Sequence, residues 1–76
     1  ALTAARDLII AGVREPEKVK QKTHAVVAQE QGVEIDYVEV ADPETLDPLD
    51  PVRRPAVVLI AARVGTTRLI DNLLVL

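Results

Sequence analysis

Seven consecutive apolar residues, Ala56 to Ala62, stand between Pro55 and the polar turn beginning at Arg63, and no other feature of the chain restricts its fold as strongly. The run has the length of a strand, is rich in valine, and is bounded by a proline and the nearby turn residue Gly65, which together predict a central strand. Alternate side chains of a strand point to opposite faces, so Val58 and Ile60 face one way and Val57 and Leu59 the other. Both faces are therefore apolar. At about 25 cal/mol per Å², leaving on the order of a few hundred Å² of one face in water forgoes several kcal/mol. Isolated domains rarely leave that much exposed.

The neighbours of this strand follow from the flanking segments. Arg68 to Leu76 carries Leu69, Ile70, Leu73, Leu74 and Val75. The short break Val64-Gly65-Thr66-Thr67 suits a hairpin in which Gly65 accepts a positive φ. Val33 to Ala41 contains Ile35, Tyr37, Val38 and Val40, a β-rich run whose alternation changes phase between Tyr37 and Val38, the mark of a strand with a bulge. Between these strands, Asp42 to Pro55 holds prolines at 43, 48, 51 and 55, which excludes a central strand or a long helix and predicts a semi-rigid connection.

Two helices precede the strands. From Ala1 to Val13, Leu2, Ala5, Leu8, Ile9 and Gly12 recur at helical spacing, with Thr3 as a candidate cap and Gly12 as a stop. Pro16 suits the first turn of a second helix, where the N–H it lacks has no partner, and Glu15 and Glu17 favour that positive end. Val19, Thr23, Val26, Val27 and Glu30 form its narrow stripe, and Gly32 is the expected terminator. The class is α+β: two N-terminal helices packed on one face of a small three-stranded antiparallel sheet, with residues 1–76 forming a single domain. Two helices cover one face only. The other face of the sheet is expected to dock a missing domain or a second copy of the chain.

Composition narrows the function classes. A chain of 76 residues buries only about 60% of the surface its unfolded form exposes, so its core is thin. It has no cysteine, which removes disulfides, thiolate metal ligands and a cysteine nucleophile, and no serine, which removes serine nucleophiles. It also has no methionine, so it is expected to be processed or excised from a longer chain. Nine basic against twelve acidic residues, a net charge of −3, oppose a nucleic-acid surface. Tyr37 is the only aromatic residue, and one aromatic makes no base-stacking platform. No apolar run approaches the roughly 20 residues of a membrane helix, and no signal pattern is present, so a cytoplasmic protein is expected.

Few residues invite chemistry. His24, the only histidine, has Lys20 and Ala28 at helical spacing and no carboxylate on the same turn, which favours a solvated residue over a metal or catalytic role. Asp42, Glu44, Asp47 and Asp50 gather in the proline-rich loop, but their spacing lacks the central glycine of a calcium-binding loop. Asp42 is better read as the cap of a turn starting at Pro43. No metal ligand is assigned. Arg53 and Arg54 precede the central strand, and Arg63 and Arg68 flank the hairpin turn. The last two are the candidates for an anion site, weighed against ion pairing with Asp36, Glu39 or Asp71.

Two stretches go further. Ile35-Asp36-Tyr37-Val38-Glu39-Val40 with Asp42-Pro43-Glu44-Thr45-Leu46 resembles the start of the C-terminal sheet of pantothenate synthetases, the pantoate:β-alanine ligases. Ala61-Ala62-Arg63-Val64-Gly65-Thr66-Thr67-Arg68-Leu69-Ile70-Asp71-Asn72 resembles the segment with which that family's chains finish. The resemblance implies a parent ligase that uses ATP and Mg²⁺ to form a pantoyl adenylate with release of pyrophosphate, which β-alanine then converts to pantothenate. It implies a preceding Rossmann-like domain carrying the nucleotide-site motifs, resembling His-Ile-Gly-His and Lys-Met-Ser-Lys-Ser, neither of which occurs here. It implies a homodimeric parent held mainly by the larger domain, and for these residues the part of a hinged, non-catalytic C-terminal lid. The rival reading is a free-standing α+β interaction or regulatory module that dimerises through its second sheet face.

Overall fold

A computed structural model describes residues 2–76. Helix α1 spans Leu2–Ile10 and helix α2 spans Pro16–Val27. Gly12 ends the first helix as expected. Its φ of 97° is left-handed, its N–H donates to the Ile9 carbonyl at 3.1 Å, and the Val13 N–H donates to the Leu8 carbonyl at 3.0 Å. These paired bonds make a Schellman stop, in which the two carbonyls orphaned by the helix end find donors. Thr3 departs from its expected role, because α1 is already helical at Leu2 and Thr3 lies inside the first turn. The part of that helix expected at Ala1 lies outside the described residues.

Helix α2 opens on Pro16 with Glu15 as its extended N-cap residue, whose side chain makes no capping bond. It closes earlier than Gly32. The Gln29 and Glu30 N–H groups donate to the carbonyls of Val26 and Val27, tight turns that replace the α pattern after Val27. Burial explains the difference. Val19, Thr23 and Val27 are buried, whereas Ala28, Gln29, Glu30 and Gln31 are exposed, so nothing beyond Val27 gains from continuing the helix. Gly32, at φ 77°, instead turns the chain into the sheet.

The strands are β1 (Val33–Ala41), β2 (Ala56–Val64) and β3 (Thr67–Val75), antiparallel in the order β1-β2-β3. The Ala56–Ala62 run is thus the centre of the sheet. β1 carries a bulge, but earlier than the phase change expected between Tyr37 and Val38: Ile35 faces Ala62 and Tyr37 faces Ala61, leaving Asp36 as the additional residue. Val64 pairs with Thr67 across a two-residue turn, and Gly65 has φ 60°. Leu46 is the only non-glycine with positive φ among the described residues, so Thr66 has negative φ, the pattern of a type II′ hairpin.

Residues directly opposite one another on paired strands share a face. Val38, Val40, Ala56, Val58, Ile60 and Val75 pack with Ala5 and Ile9 of α1 and Val19 and Val27 of α2 in one buried cluster. The proline-rich connection joins that cluster through Leu49 and Val52, anchored where the Val52 N–H donates to the Arg14 carbonyl at 2.7 Å. It also runs along the outer edge of β1: Ala41 bridges Pro48, and the Leu49 N–H donates to the Val40 carbonyl at 3.0 Å. Next to this, the Glu39 carboxylate accepts from the Val40 N–H at 3.1 Å and forms an ion pair with Lys20 of α2 at 3.3 Å. One end of that edge is closed to another strand. The shortest dimension, 17 Å, has room for one helical layer on one sheet and no third layer. No helix among the described residues is long and apolar enough to cross a membrane.

Candidate functional site

The bulge and the hairpin together organise the charged end of the sheet. Arg63 and Arg68 are directly opposite each other across the β2–β3 turn, an arrangement in which like charges repel. The bulge sets the Asp36 carboxylate against both. Arg63 Nε lies 3.2 Å from one of its oxygens, and Arg68 Nε lies 3.5 Å from the other. Glu34 adds a longer contact to Arg63 at 4.0 Å, from a side chain 80% exposed. The arginines are therefore engaged by carboxylates of their own sheet, and the cluster carries two positive and two negative charges. Asp36, named as a partner from sequence, is the shared one. Glu39 instead pairs with Lys20, and among the described residues no ion pair forms at Asp71, which stands opposite Ile60 on the helix side.

The remaining candidates lie apart from this cluster. Arg53 reaches the Asp42 carboxylate at 3.9 Å, and Arg54 Nε donates to the Leu76 carbonyl. Asp42 caps the loop as the sequence predicts, its Oδ1 accepting the Glu44 and Thr45 N–H groups at 2.8 and 3.2 Å. His24 is exposed on α2. Among the described residues no three His, Cys, Asp or Glu side chains converge to hold a metal ion. Among the described residues no nucleophile, base and orienting group are brought together.

What the molecule does offer is surface. On the face away from the helices, Tyr37, Ala61 and Ile70 form one row and Ala41, Val57 and Leu74 another, with Leu59 between them. Tyr37 is 42%, Ile70 68% and Leu74 50% exposed. Ala61 and Val57 are buried beneath their row neighbours, yet neither belongs to the helix-side cluster. On this second face the central strand is largely buried, and the exposed apolar side chains, Tyr37, Ile70 and Leu74, belong to the two edge strands. A second feature escaped the sequence. Between the start of α1, the end of α2 and β3 lies an open groove of about 520 Å³, floored by Leu2, Val27, Ile60 and Leu69 and edged by Arg6 and Asp71. It exists because the helices leave the β3 side of the sheet short of cover.

Comparison with known proteins gives this surface a context. The profile of the pantoate-beta-alanine ligase family matches residues 1–74. The pantothenate synthetase of Thermotoga petrophila is 42% identical over 72 residues, which are 95% of this chain and 26% of that protein. A bifunctional pantoate ligase/cytidylate kinase of Gloeobacter violaceus is 43% identical over 72 residues, 95% of this chain and 14% of that one. The crystal structure of pantothenate synthetase from Thermus thermophilus superposes with a TM-score of 0.83 at 29% identity, covering 95% of this chain and 26% of that chain. The chain thus spans about a quarter of the length of pantothenate synthetases it matches. With the two helices, the three-stranded sheet and the matched sequence in agreement, this chain belongs to the pantoate-beta-alanine ligase family.

Proposed function

We propose that these residues form the C-terminal lid domain of a pantothenate synthetase, the ATP-dependent ligase that joins pantoate to β-alanine, and that they contribute closure and not chemistry. The observation that carries the reading is the disproportion of the match: 95% of this chain aligns with only 26% of a relative. The resemblance of residues 61–72 to the segment that ends this family's chains supports the C-terminal placement.

ATP supplies the adenylyl group that activates the acid, and Mg²⁺ balances phosphate charge. The described residues do not fit either group. No carboxylate or histidine cluster gathers among them to hold the metal, and Arg63 and Arg68 are engaged with Asp36. Nucleotide, metal, pantoate and β-alanine are accordingly assigned to the preceding Rossmann-like domain of a parent that dimerises through that larger domain and works in the cytoplasm. A lid has a physical purpose in such a reaction. An acyl adenylate is an activated acid that water destroys, and covering the cleft excludes water while the amine attacks.

The test is direct. The purified 76-residue chain should release no pyrophosphate dependent on pantoate and ATP. Inserted in place of the matching portion of the Thermotoga petrophila enzyme, it should sustain pantothenate formation. Turnover by the chain alone would overturn the proposal.

A further inference from the structure

We infer that the uncovered sheet face, the strip formed by Tyr37, Leu59, Ile70 and Leu74, is the surface with which this domain docks on the remaining part of a full-length ligase. The inference rests on the function proposed above and adds which surface does the closing. Tyr37, Ala61 and Ile70 form a continuous row across all three strands; the next row on that face is Glu39, Leu59 and Asn72, and the one beyond it Ala41, Val57 and Leu74. Charged groups stand at the margin: Glu34, Asp36, Arg63 and Arg68 at the hairpin end and Glu39 on β1. An apolar centre carrying a tyrosine, surrounded by a polar rim, is the anatomy of a protein contact surface. On the opposite face α1, α2 and the proline-rich connection cover the sheet except at the groove beside Leu69.

Size and context select the occupant. Three large side chains, each between 42% and 68% exposed, are central to the strip. With their neighbours they present on the order of several hundred Å², the scale of functional patches but below the roughly 800 Å² per partner of a stable interface between separate molecules. A contact within one chain does not lose the freedom of a second body, so a smaller patch suffices, and a modest patch can also open again. About three quarters of the length of a matched relative lies outside the part this chain covers, and that remainder is the occupant.

The test uses a full-length chain in which residues 1–76 replace the matching portion of the Thermotoga petrophila enzyme. Ile70→Lys places a charge on the strip, and Lys22→Glu, on the exposed side of α2, is the control. We expect Ile70→Lys to lower pantothenate formation by about tenfold or more while Lys22→Glu leaves it unchanged. Equal rates for Ile70→Lys and the unsubstituted chimera overturn the inference. A chimera that makes no pantothenate counts against the proposed function, and docking is then decided by hydrogen exchange over residues 67–75. Exchange slowed about tenfold relative to the isolated chain upholds docking, and equal exchange overturns it. In sedimentation, an isolated chain that is monomeric upholds the assignment. A dimer dissolved by Ile70→Lys gives the face to a second copy and overturns it.

Discussion

At the hairpin end of the sheet, Asp36 has one carboxylate for two arginines. Exposed ion pairs typically contribute about 0 to 1 kcal/mol, because water and salt screen them and ordering long side chains costs entropy. Asp36 is better placed than most, its side chain 24% exposed and shared by Arg63 and Arg68. Asp36→Asn should therefore lower stability by about 1 kcal/mol in urea unfolding at low salt. The loss should shrink near 1 M salt, where the screening length falls to about 3 Å. Gly65 is a different kind of residue, set by backbone and not by charge. At φ 60° a side chain costs roughly 1–2 kcal/mol, so Gly65→Ala should lower stability by about that amount in thermal unfolding. Thr23 is fully buried, and its hydroxyl donates to the Val19 carbonyl at 2.9 Å. Such a back-bond competes with the helix and gains little, and valine has nearly the same shape. Thr23→Val should leave stability unchanged or raise it by up to about 1 kcal/mol, a loss above that range counting against this account.

Strand β2 shows how one element serves two purposes. Val58 is fully buried under the helices, whereas Ile70, in the neighbouring strand on the other face, is 68% exposed. Removing buried methyl groups loses their transfer free energy and leaves a cavity, so Val58→Ala should cost about 2–3 kcal/mol. Ile70→Ala in the isolated chain should cost no more than about 0.5 kcal/mol. Comparable losses at the two sites, measured by urea unfolding, would mean that the second face is covered in solution. The edges differ in a related way. One end of β1 is closed by the Ala41–Pro48 bridge and the Glu39 carboxylate. At β3, the Asn72 N–H bonds to the Asp71 carboxylate at 2.8 Å, which gives that edge donor a local partner. These devices discourage strand addition at the edges and leave the apolar face as the surface available for docking.

For the molecule as a whole, the sequence determined the element order, the central place of Ala56–Ala62, the stop at Gly12, the turn at Gly65 and the apolar character of both sheet faces. Each is local: periodicity, a proline bound, a glycine where φ must be positive. The end of α2 was not legible, because its last turn depends on what lies beneath Val27 and Glu30 and not on the terminating glycine five residues farther on. The groove beside α1 was not legible either, since it reflects the angle and reach of two helices over a sheet. The candidate site shows the same division. Arginines flanking a hairpin are visible in the sequence, but their shared tie to Asp36 depends on a bulge that places the extra residue there, and only tertiary structure decides which carboxylate stands close enough to compete for a cation. That the central strand is apolar on both sides follows from the sequence alone, because alternate residues of an unbroken apolar run point to opposite faces. Which side chains remain exposed was decided by packing: the helices and the proline-rich connection pack on one face, and Tyr37, Ile70 and Leu74 of the edge strands are left to water on the other.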